Sequence, residues 1–280
     1  MILKKGPAYN SKILLFGEYS LMKGSMALSI PFDKFKGQLL FDPISKNKKS
    51  NHYSVVYLEE YLKFLKENKF LKEINIEEFR DDIATGLYFE CNIPISYGLG
   101  SSGAIVASIY SAYSTMDNTH DLDQLKTQFA RMESYYHGSS SGLDPLVSYL
   151  NRPILIEDNG KISIAKSPKG KQNKNGGIFL IDTKTIGETQ PLVNWFMNEY
   201  TKDSFKNKIQ NTLIPANNSC INSYLSGDFN FLQEGVKAVS QFTYDNFNPM
   251  IPNSIKDVWK NGLESGDYYL KLCGSGGGGM

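Results

Sequence analysis

The stretch PISYGLGSSGAIVASIY, residues 94–110, decides the fold prediction for this chain. Its polar centre, which contains Gly98, Gly100, Ser101 and Ser102, separates a strand-like apolar run from an apolar run of small residues. A glycine-rich loop that enters a helix offers unpaired backbone N–H groups and a partial positive charge, which suit an anion such as a nucleotide's phosphates. The serine hydroxyls can donate to phosphate oxygens or ligate Mg²⁺. The same residues are equally typical of a tight turn whose serine caps a buried helix.

Composition narrows the classes of protein that this chain can be. It has 280 residues, 41% hydrophobic content and a formal net charge of +1. The length suffices for two lobes, and the balanced charge gives no electrostatic case for nucleic acid or an anionic membrane as a partner. Three cysteines without paired spacing argue against a disulfide framework and against a zinc site. No apolar run reaches the roughly 20 residues of a membrane helix, so we expect a soluble, cytoplasmic protein of undetermined oligomeric state.

Periodicity predicts strands first, then helices, then a mixed second half. The predicted strands are residues 11–17, 26–32, 36–41, 88–93, 162–165, 178–182 and 268–273. The predicted helices are residues 53–67, 103–116, 122–137, 192–200, 220–225 and 229–242, with Asp121 as an N-cap and Gly138 as a C-cap. The polar, lysine-rich stretch 42–51 is predicted as an exposed loop. The stretch 159–177 is rich in lysine, glycine and asparagine around its one short strand, and we place the boundary between the lobes near its end. This order lacks a steady strand–helix alternation and indicates an α+β fold with two lobes.

A second group of candidate residues follows the predicted helix at 122–137. Glu133, His137 and Asp144 could supply acid–base chemistry or bind a metal, but each also has an ordinary structural interpretation. Asp144 precedes a proline and could be an N-cap, Glu133 could lie on a solvated helix face, and His137 could favour the helix dipole. Lys12 is unusual inside an apolar strand unless it stands at the strand's beginning or reaches a carboxylate.

Taken together, these pieces resemble the GHMP small-molecule kinase family. Residues 94–102 resemble the family's phosphate loop, residues 12–19 its first motif, and residues 271–279 its third, glycine-rich motif. That third match makes the glycine run look native rather than like an engineered linker. Within the family, residues 133–144 and 182–193 are most similar to the mevalonate kinases.

The resemblance implies an architecture and an activity. It implies a two-lobed GHMP-kinase-like fold with the active site in the cleft between the lobes. Residues 1–175 would form the N-terminal, ATP-binding lobe and residues 176–280 a ferredoxin-like C-terminal lobe. The implied reaction is ATP-dependent phosphorylation of the primary hydroxyl of mevalonate, with Mg²⁺, for isoprenoid precursor synthesis. Phosphomevalonate kinase, another GHMP-type kinase and a non-catalytic ligand-binding relative are the alternatives.

The resemblance also implies roles for individual residues. The phosphates of ATP would be bound by Gly98, Leu99, Gly100, Ser101 and Ser102. Mg²⁺ would be held by Ser102 and Glu133. Asp144 would be the general base, paired with Lys12. The acceptor side would be lined by Glu18, Tyr19, Thr189, Gly274, Gly276 and Gly277.

Two positions depart from the mevalonate kinase pattern. Tyr19 stands where histidine is common, and Gly187 stands where arginine is frequent. Both positions are associated with the substrate side, so the kinase prediction is firmer than the substrate prediction. Because the chain stops directly after a glycine turn, we also expect a few tens of further residues beyond Met280, about one supersecondary unit.

Overall fold

The computed structural model describes residues 3–41, 49–116, 121–166, 168 and 176–280. Strands and helices are mixed through it, which confirms the predicted α+β class. The strands are β1 (Leu3–Lys4), β2 (Tyr9–Phe16), β3 (Ala27–Phe41), β4 (Leu87–Cys91), β5 (Ile154–Ile156) and β6 (Ile162–Ile164). The helices are α1 (Lys49–Glu67), α2 (Ile76–Ala84), α3 (Ser101–Tyr113), α4 (Leu122–His137), α5 (Leu143–Leu150), α6 (Thr189–Glu199), α7 (Asp203–Lys208), α8 (Ile214–Ser226), α9 (Phe229–Asn246) and α10 (Asn253–Ser265). Residues 42–48 of the predicted loop 42–51 lie outside the described residues, and residues 49–51 begin α1. Within 159–177, residues 167 and 169–175 lie outside them, and β6 confirms the short strand predicted there.

Strand β3 is one continuous strand of 15 residues, although the sequence predicts two strands, 26–32 closed by Pro31 and Asp33, and 36–41. Residues 27–29 pair antiparallel with β5, and residues 37–41 pair antiparallel with β4. A proline deprives a strand of one N–H donor. Pro31 lies between these two ladders, so the missing donor interrupts neither of them. The predicted break is therefore wrong.

Helix α3 is buried along most of its length, as its run of small apolar residues predicts. Residues 103–110 are all buried. A Cβ atom on Gly103 would lie 2.8 Å from the carbonyl carbon of Asp144. Only glycine therefore allows the first turn of α3 to approach the first turn of α5 this closely, and this approach brings Asp144 to the beginning of α3.

The ends of α4 confirm the predicted caps. The Asp121 carboxylate accepts the N–H groups of Asp123 at 2.9 Å and Gln124 at 3.4 Å, and Gly138 ends the helix with a φ of 70°. The next helix begins differently from the interpretation of Asp144 as an N-cap. The N-cap of α5 is Gly142, so Asp144 lies inside the first turn. That interpretation of Asp144 is wrong, because the chain already turns into the helix at the glycine.

The second half of the chain differs most from the prediction. In the described part of residues 176–280 the assigned elements are helices, and the strands predicted at 178–182 and 268–273 are wrong. Neither stretch pairs with another described strand, and pairing is what makes an extended segment a strand. Helices α2, α7 and α10 and strands β1 and β5 were not predicted, and α5 was anticipated only through Asp144 as a possible N-cap. A signal for α2 exists, since Asn75 caps it by accepting the Glu78 N–H at 3.2 Å.

The chain divides into two compact units. One consists of Met1–Lys12, Pro31–Pro94 and Gly100–Arg152, and the other of Ile13–Ile30, Ile95–Leu99 and Pro153–Met280. Each unit takes several separate segments, so its limits follow packing rather than one point in the sequence. The division at 175/176 and the ferredoxin-like lobe stay predictions. Among the described residues, no helix combines the length and apolar character that crossing a membrane requires.

Candidate active site

The phosphate-loop candidate turns twice through left-handed backbone. Gly98 has a φ of 74° and Gly100 a φ of 77°, while Leu99 between them is 1% exposed and anchors the loop. Gly100 is the N-cap of α3, so the first N–H groups of that helix lack carbonyl partners within it. A Cβ on Gly100 would lie 2.9 Å from Cγ of Lys12. The bare backbone of the loop therefore packs directly against the lysine.

Lys12 and Asp144 form an ion pair next to this helix N-terminus. The Lys12 ammonium lies 2.9 Å from Oδ2 of Asp144, and the two side chains are 7% and 32% exposed. A buried ammonium needs a counter-charge, and this carboxylate supplies one. Of the two interpretations of Lys12, reaching a carboxylate is the one that the structure bears out. Asp144 is the more accessible partner and can still meet a ligand.

Glu133 lies on the buried side of α4 rather than on a solvated face, and it is 3% exposed. The Ser102 hydroxyl donates to its Oε1 at 2.8 Å, and the Ser140 hydroxyl donates to its Oε2. The Ser102 oxygen also lies 3.1 Å from Nε2 of His137. Two serines from different elements therefore converge on one buried carboxylate.

Burial sets the protonation of this carboxylate. Loss of solvent, and after it the neighbouring charge of Asp144, raise the pKa of Glu133, which is about 7. The hydroxyls of Ser140 and Ser102 and the ammonium of Lys12 act in the opposite direction. A cation brought to this position would favour the ionised form, because opposite charge lowers a carboxyl pKa.

The donor set suits Mg²⁺ that is shared with a nucleotide. Ser102 Oγ and Glu133 Oε1 are oxygen donors within 2.8 Å of each other. No group of three or more histidine, cysteine, aspartate or glutamate side chains that could hold a metal occurs among the described residues. Mg²⁺ is commonly held by one or two protein ligands, with waters and phosphate oxygens completing its octahedron. The residues present fit that arrangement.

Sequence reasoning missed Ser140. It is the middle residue of a run of three serines, and nothing in the run distinguishes it from its neighbours. Its role depends on the loop, because its oxygen also accepts the Gly142 N–H at 2.9 Å. A glutamate followed seven residues later by a serine, with a helix end between them, is a weak signal that could have been noticed.

A second group of predicted site residues lies in the two stretches 12–19 and 271–279 that were compared with family motifs above. The Glu18 carboxylate accepts the ammonium of Lys271, which also donates to the Leu272 carbonyl. The two charged side chains are 9% and 17% exposed. Burial raises the pKa of Glu18, and Lys271 opposes that shift. Glu18 is therefore committed to Lys271, a residue that the sequence reasoning did not single out.

Tyr19 and Thr189 both reach the glycine-rich turn near the end of the chain. Tyr19 is 6% exposed, and its hydroxyl donates to the Ser275 carbonyl at 2.6 Å. Its ring centroid lies 4.9 Å from that of Phe196. The Thr189 hydroxyl lies 3.0 Å from the Ser275 hydroxyl. Contact of Tyr19 or Thr189 with a substrate stays a prediction.

The glycine run explains the glycine at position 187. A Cβ on Gly187 would lie 2.6 Å from the Gly276 carbonyl oxygen, and a Cβ on Gly278 would lie 2.6 Å from the Gly187 nitrogen. The run is also tied by the Gly279 N–H, which donates to the Thr185 carbonyl at 2.8 Å. Any side chain at 187 would collide with this backbone. The departure at this position is therefore a packing requirement of this chain.

Comparison with known proteins bears on the segment that contains most of this geometry. Residues 57–152 match the family described as GHMP kinases N terminal domain. A mevalonate kinase of Pyrococcus abyssi is 28% identical over 169 residues, which cover 53% of this chain and 49% of that enzyme. The chain thus matches about half the length of that relative.

Solved structures extend the likeness to nearly the whole chain. L. major mevalonate kinase in complex with R-mevalonate has a TM-score of 0.64 at 17% identity, with 97% of this chain and 84% of that chain covered. The Methanococcus jannaschii mevalonate kinase scores 0.59 at 18% identity, with 100% and 88% covered. Streptococcus pneumoniae phosphomevalonate kinase in complex with phosphomevalonate and AMPPNP also scores 0.59, at 14% identity, with 99% and 90% covered. At these identities the likeness shows the fold alone.

Proposed function

We propose, on the premise that this chain carries a GHMP kinase N-terminal domain and has the fold of the GHMP kinases, that it is an ATP-dependent kinase acting on the primary hydroxyl of mevalonate. One observation carries the kinase proposal above the others. The Lys12–Asp144 ion pair and the Ser102–Glu133 contact meet at the N-terminus of α3. A base, a paired cation, a metal-side carboxylate and a phosphate-binding helix end are the parts that phosphoryl transfer requires.

In the proposed reaction the acceptor oxygen attacks the γ-phosphorus of ATP. The new O–P bond forms as the bond between the γ-phosphorus and the β–γ bridging oxygen breaks, and ADP leaves with that electron pair. Asp144 takes the hydroxyl proton. Lys12 holds the Asp144 carboxylate through their ion pair and stabilises negative charge near the group that is transferred.

The other residues hold the nucleotide. The backbone from Gly98 to Ser102 would bind the phosphates through N–H groups of the loop and the first turn of α3. Ser102 and Glu133 would hold Mg²⁺, which when bound neutralises charge on the β- and γ-phosphates. The role of Glu18 is better described as a support for the turn at Gly274 than as a direct substrate contact, because its carboxylate is occupied by Lys271.

The charges on the predicted acceptor side support mevalonate over phosphomevalonate. Lys271 is neutralised by Glu18, and Lys184 pairs with Asp182 at 2.6 Å. An additional phosphate on the substrate would need cations that are not already paired with carboxylates. The match to the mevalonate kinase of Pyrococcus abyssi supports the same choice. Phosphomevalonate kinase remains the second candidate, since its Streptococcus pneumoniae representative shares the fold with the same TM-score of 0.59 as the Methanococcus jannaschii mevalonate kinase.

A coupled ADP-release assay tests this proposal. Mevalonate, phosphomevalonate, galactose and homoserine are compared with the wild-type chain, and the Asp144→Asn variant is the matched control. We expect the highest kcat/KM for mevalonate and no comparable turnover by the variant. A preference for phosphomevalonate would overturn the substrate and keep the kinase. Equal ADP release by the wild type and the variant with every acceptor would overturn the kinase proposal.

A further inference from the structure

Both oxygens of the Glu133 carboxylate are held by serine hydroxyls, but the two serines are not equivalent. Ser102 donates to Oε1 at 2.8 Å and has a second possible partner in His137 Nε2, 3.1 Å away. Ser140 donates to Oε2 and at the same time accepts the Gly142 N–H at 2.9 Å. Ser102 can therefore exchange partners within its own neighbourhood, whereas Ser140 is bound on both sides.

The loop that carries Ser140 is fixed to the helix that carries Glu133. Gly142 has a φ of 72°, and a Cβ there would lie 2.1 Å from the Lys126 carbonyl oxygen and 2.7 Å from the Ala130 nitrogen. Lys126 and Ala130 lie on α4, in the two turns before Glu133. The backbone contact holds the loop against α4, and the Gly142 N–H holds the Ser140 hydroxyl. Ser140 is thus presented to Glu133 by rigid backbone.

We propose that Ser140 is a positioning residue that holds Oε2 of Glu133, so that only Oε1 serves a divalent cation bound with the nucleotide. This inference rests on the proposed function. Because the Ser140 hydroxyl donates to Oε2, only Oε1 of the carboxylate is left to contact the cation. Ser102 can turn its own oxygen to the same cation, since His137 Nε2 is within reach of its hydroxyl hydrogen. Groups that hold a metal-binding carboxylate in this way tune its affinity for the metal.

The same serine links the two functional carboxylates. Its oxygen accepts the N–H of Gly142, the N-cap of α5, and Asp144 lies two residues further in the first turn of that helix. A displaced Ser140 would release Glu133 and loosen the turn that presents Asp144. The effect of removing it is therefore expected on metal-dependent binding first and on turnover as a consequence.

Nucleotide binding without turnover provides the test. The dissociation constant of a non-hydrolysable ATP analogue is measured with excess Mg²⁺ and with EDTA. The value in EDTA divided by the value with Mg²⁺ reports how much the metal contributes to binding. We expect Ser140→Ala to reduce that ratio by about tenfold and to leave the EDTA value unchanged. The exposed neighbour provides the matched control, since Ser139→Ala should keep the wild-type ratio.

A pair of variants with side chains of nearly equal size separates the hydrogen bond from a simple folding defect. Ser140→Thr keeps a hydroxyl and should retain most of the ratio. Ser140→Val has nearly the shape of the threonine variant but no hydroxyl, and it should lose the ratio. In a Glu133→Gln background, Ser140→Ala should cause little additional loss, because it acts through that carboxylate.

Each contrary result has a distinct meaning. A Ser140→Ala ratio within about twofold of the wild type overturns the positioning role and leaves the kinase proposal intact. An equal loss with Mg²⁺ and with EDTA, or equal behaviour of Thr and Val, shows a purely structural loop residue and also overturns it. A wild-type chain that binds the analogue in neither condition overturns the proposed function and this inference together.

Discussion

Asp144 is available for a functional role because it is not needed to cap α5. Gly142 caps α5, so the helix does not depend on the aspartate for its first turn. The carboxylate instead lies 2.9 Å from the buried ammonium of Lys12 and is 32% exposed. An aspartate that is charged, paired and still accessible can accept a proton from a hydroxyl that binds beside it.

We predict that Asp144→Asn lowers kcat by about a hundredfold to ten-thousandfold, because the amide keeps the side chain's size and loses its basicity. Binding of the ATP analogue should stay close to the wild-type value, since the phosphate-binding backbone of α3 is unchanged. Single-turnover measurement of ADP formation separates the chemical step from binding. Near-normal turnover would contradict the assignment of Asp144 as the base.

The raised pKa of Glu133 predicts that the stability of the chain depends on pH even without substrate. Its pKa is about 7 in the folded chain, mainly because of burial, and the ordinary value is 4.5. Between these values the folded state binds the extra proton, so the stability that this group contributes is present below pH 4.5 and is lost as the pH rises through 7.

Glu133→Gln removes that titration while it keeps the side chain's shape. Measured in EDTA, the unfolding free energy of the variant relative to the wild type should rise by about 3 kcal/mol between pH 4.5 and pH 8. Urea unfolding of both proteins across this range is the measurement. Parallel curves for the two proteins would refute the assigned protonation of Glu133.

At the scale of the elements, the backbone of the turn between α4 and α5 determines where Ser140 and Asp144 lie relative to Glu133. Gly138 and Gly142 both have left-handed φ values, 70° and 72°. A Cβ at Gly138 would have no atom within 4 Å, whereas a Cβ at Gly142 would lie 2.1 Å from the Lys126 carbonyl oxygen. Both glycines therefore have a positive φ, and only a side chain at Gly142 would also collide with α4.

Gly138→Ala should cost about 1–2 kcal/mol, because alanine rarely adopts a positive φ. Gly142→Ala should cost about 1–3 kcal/mol more, because the loop must also move away from α4. Urea unfolding of the two variants measures the difference. Equal losses would show that the contact between this turn and α4 contributes nothing to stability.

Elements with local signals at their ends are predictable from the sequence. Helix α4 is an example, because Asp121 and Gly138 act on their immediate neighbours. The strands at 178–182 and 268–273 could not be judged in this way, since a strand depends on a distant partner. The beginning of α5 was also misjudged, because contact with α4 at Gly142 outweighs the Asp-Pro signal.

The same distinction applies to the candidate site. Ser102, Glu133 and Asp144 could be singled out as candidates because each stands in a motif that is recognisable in this sequence alone, and their roles stay predictions. Ser140 could not be singled out, since its contact with Glu133 depends on the path of the loop. Lys271 could not either, because its partner Glu18 lies 253 residues away in the sequence.

At the scale of the whole chain, contacts join segments that are far apart in the sequence. Glu18 meets Lys271, Tyr19 meets Ser275, and Gly187 meets Gly276, all within the second compact unit. The first motif and the glycine-rich motif are therefore held together by a buried ion pair and by backbone packing. In the sequence these two motifs are separate, whereas in the structure they are in direct contact.

The ion pair between Glu18 and Lys271 tests that view through a double-mutant cycle. Glu18→Gln or Lys271→Met alone should destabilise the chain by about 3–5 kcal/mol, because each leaves an uncompensated charge in a buried position. The double variant should be considerably more stable than the sum of the two losses, since it removes both desolvated charges at once. Urea unfolding of the four proteins measures the coupling. Additive losses would mean that Glu18 and Lys271 act independently, and the tie between the first and the glycine-rich motif would then rest on Tyr19 and the glycine backbone.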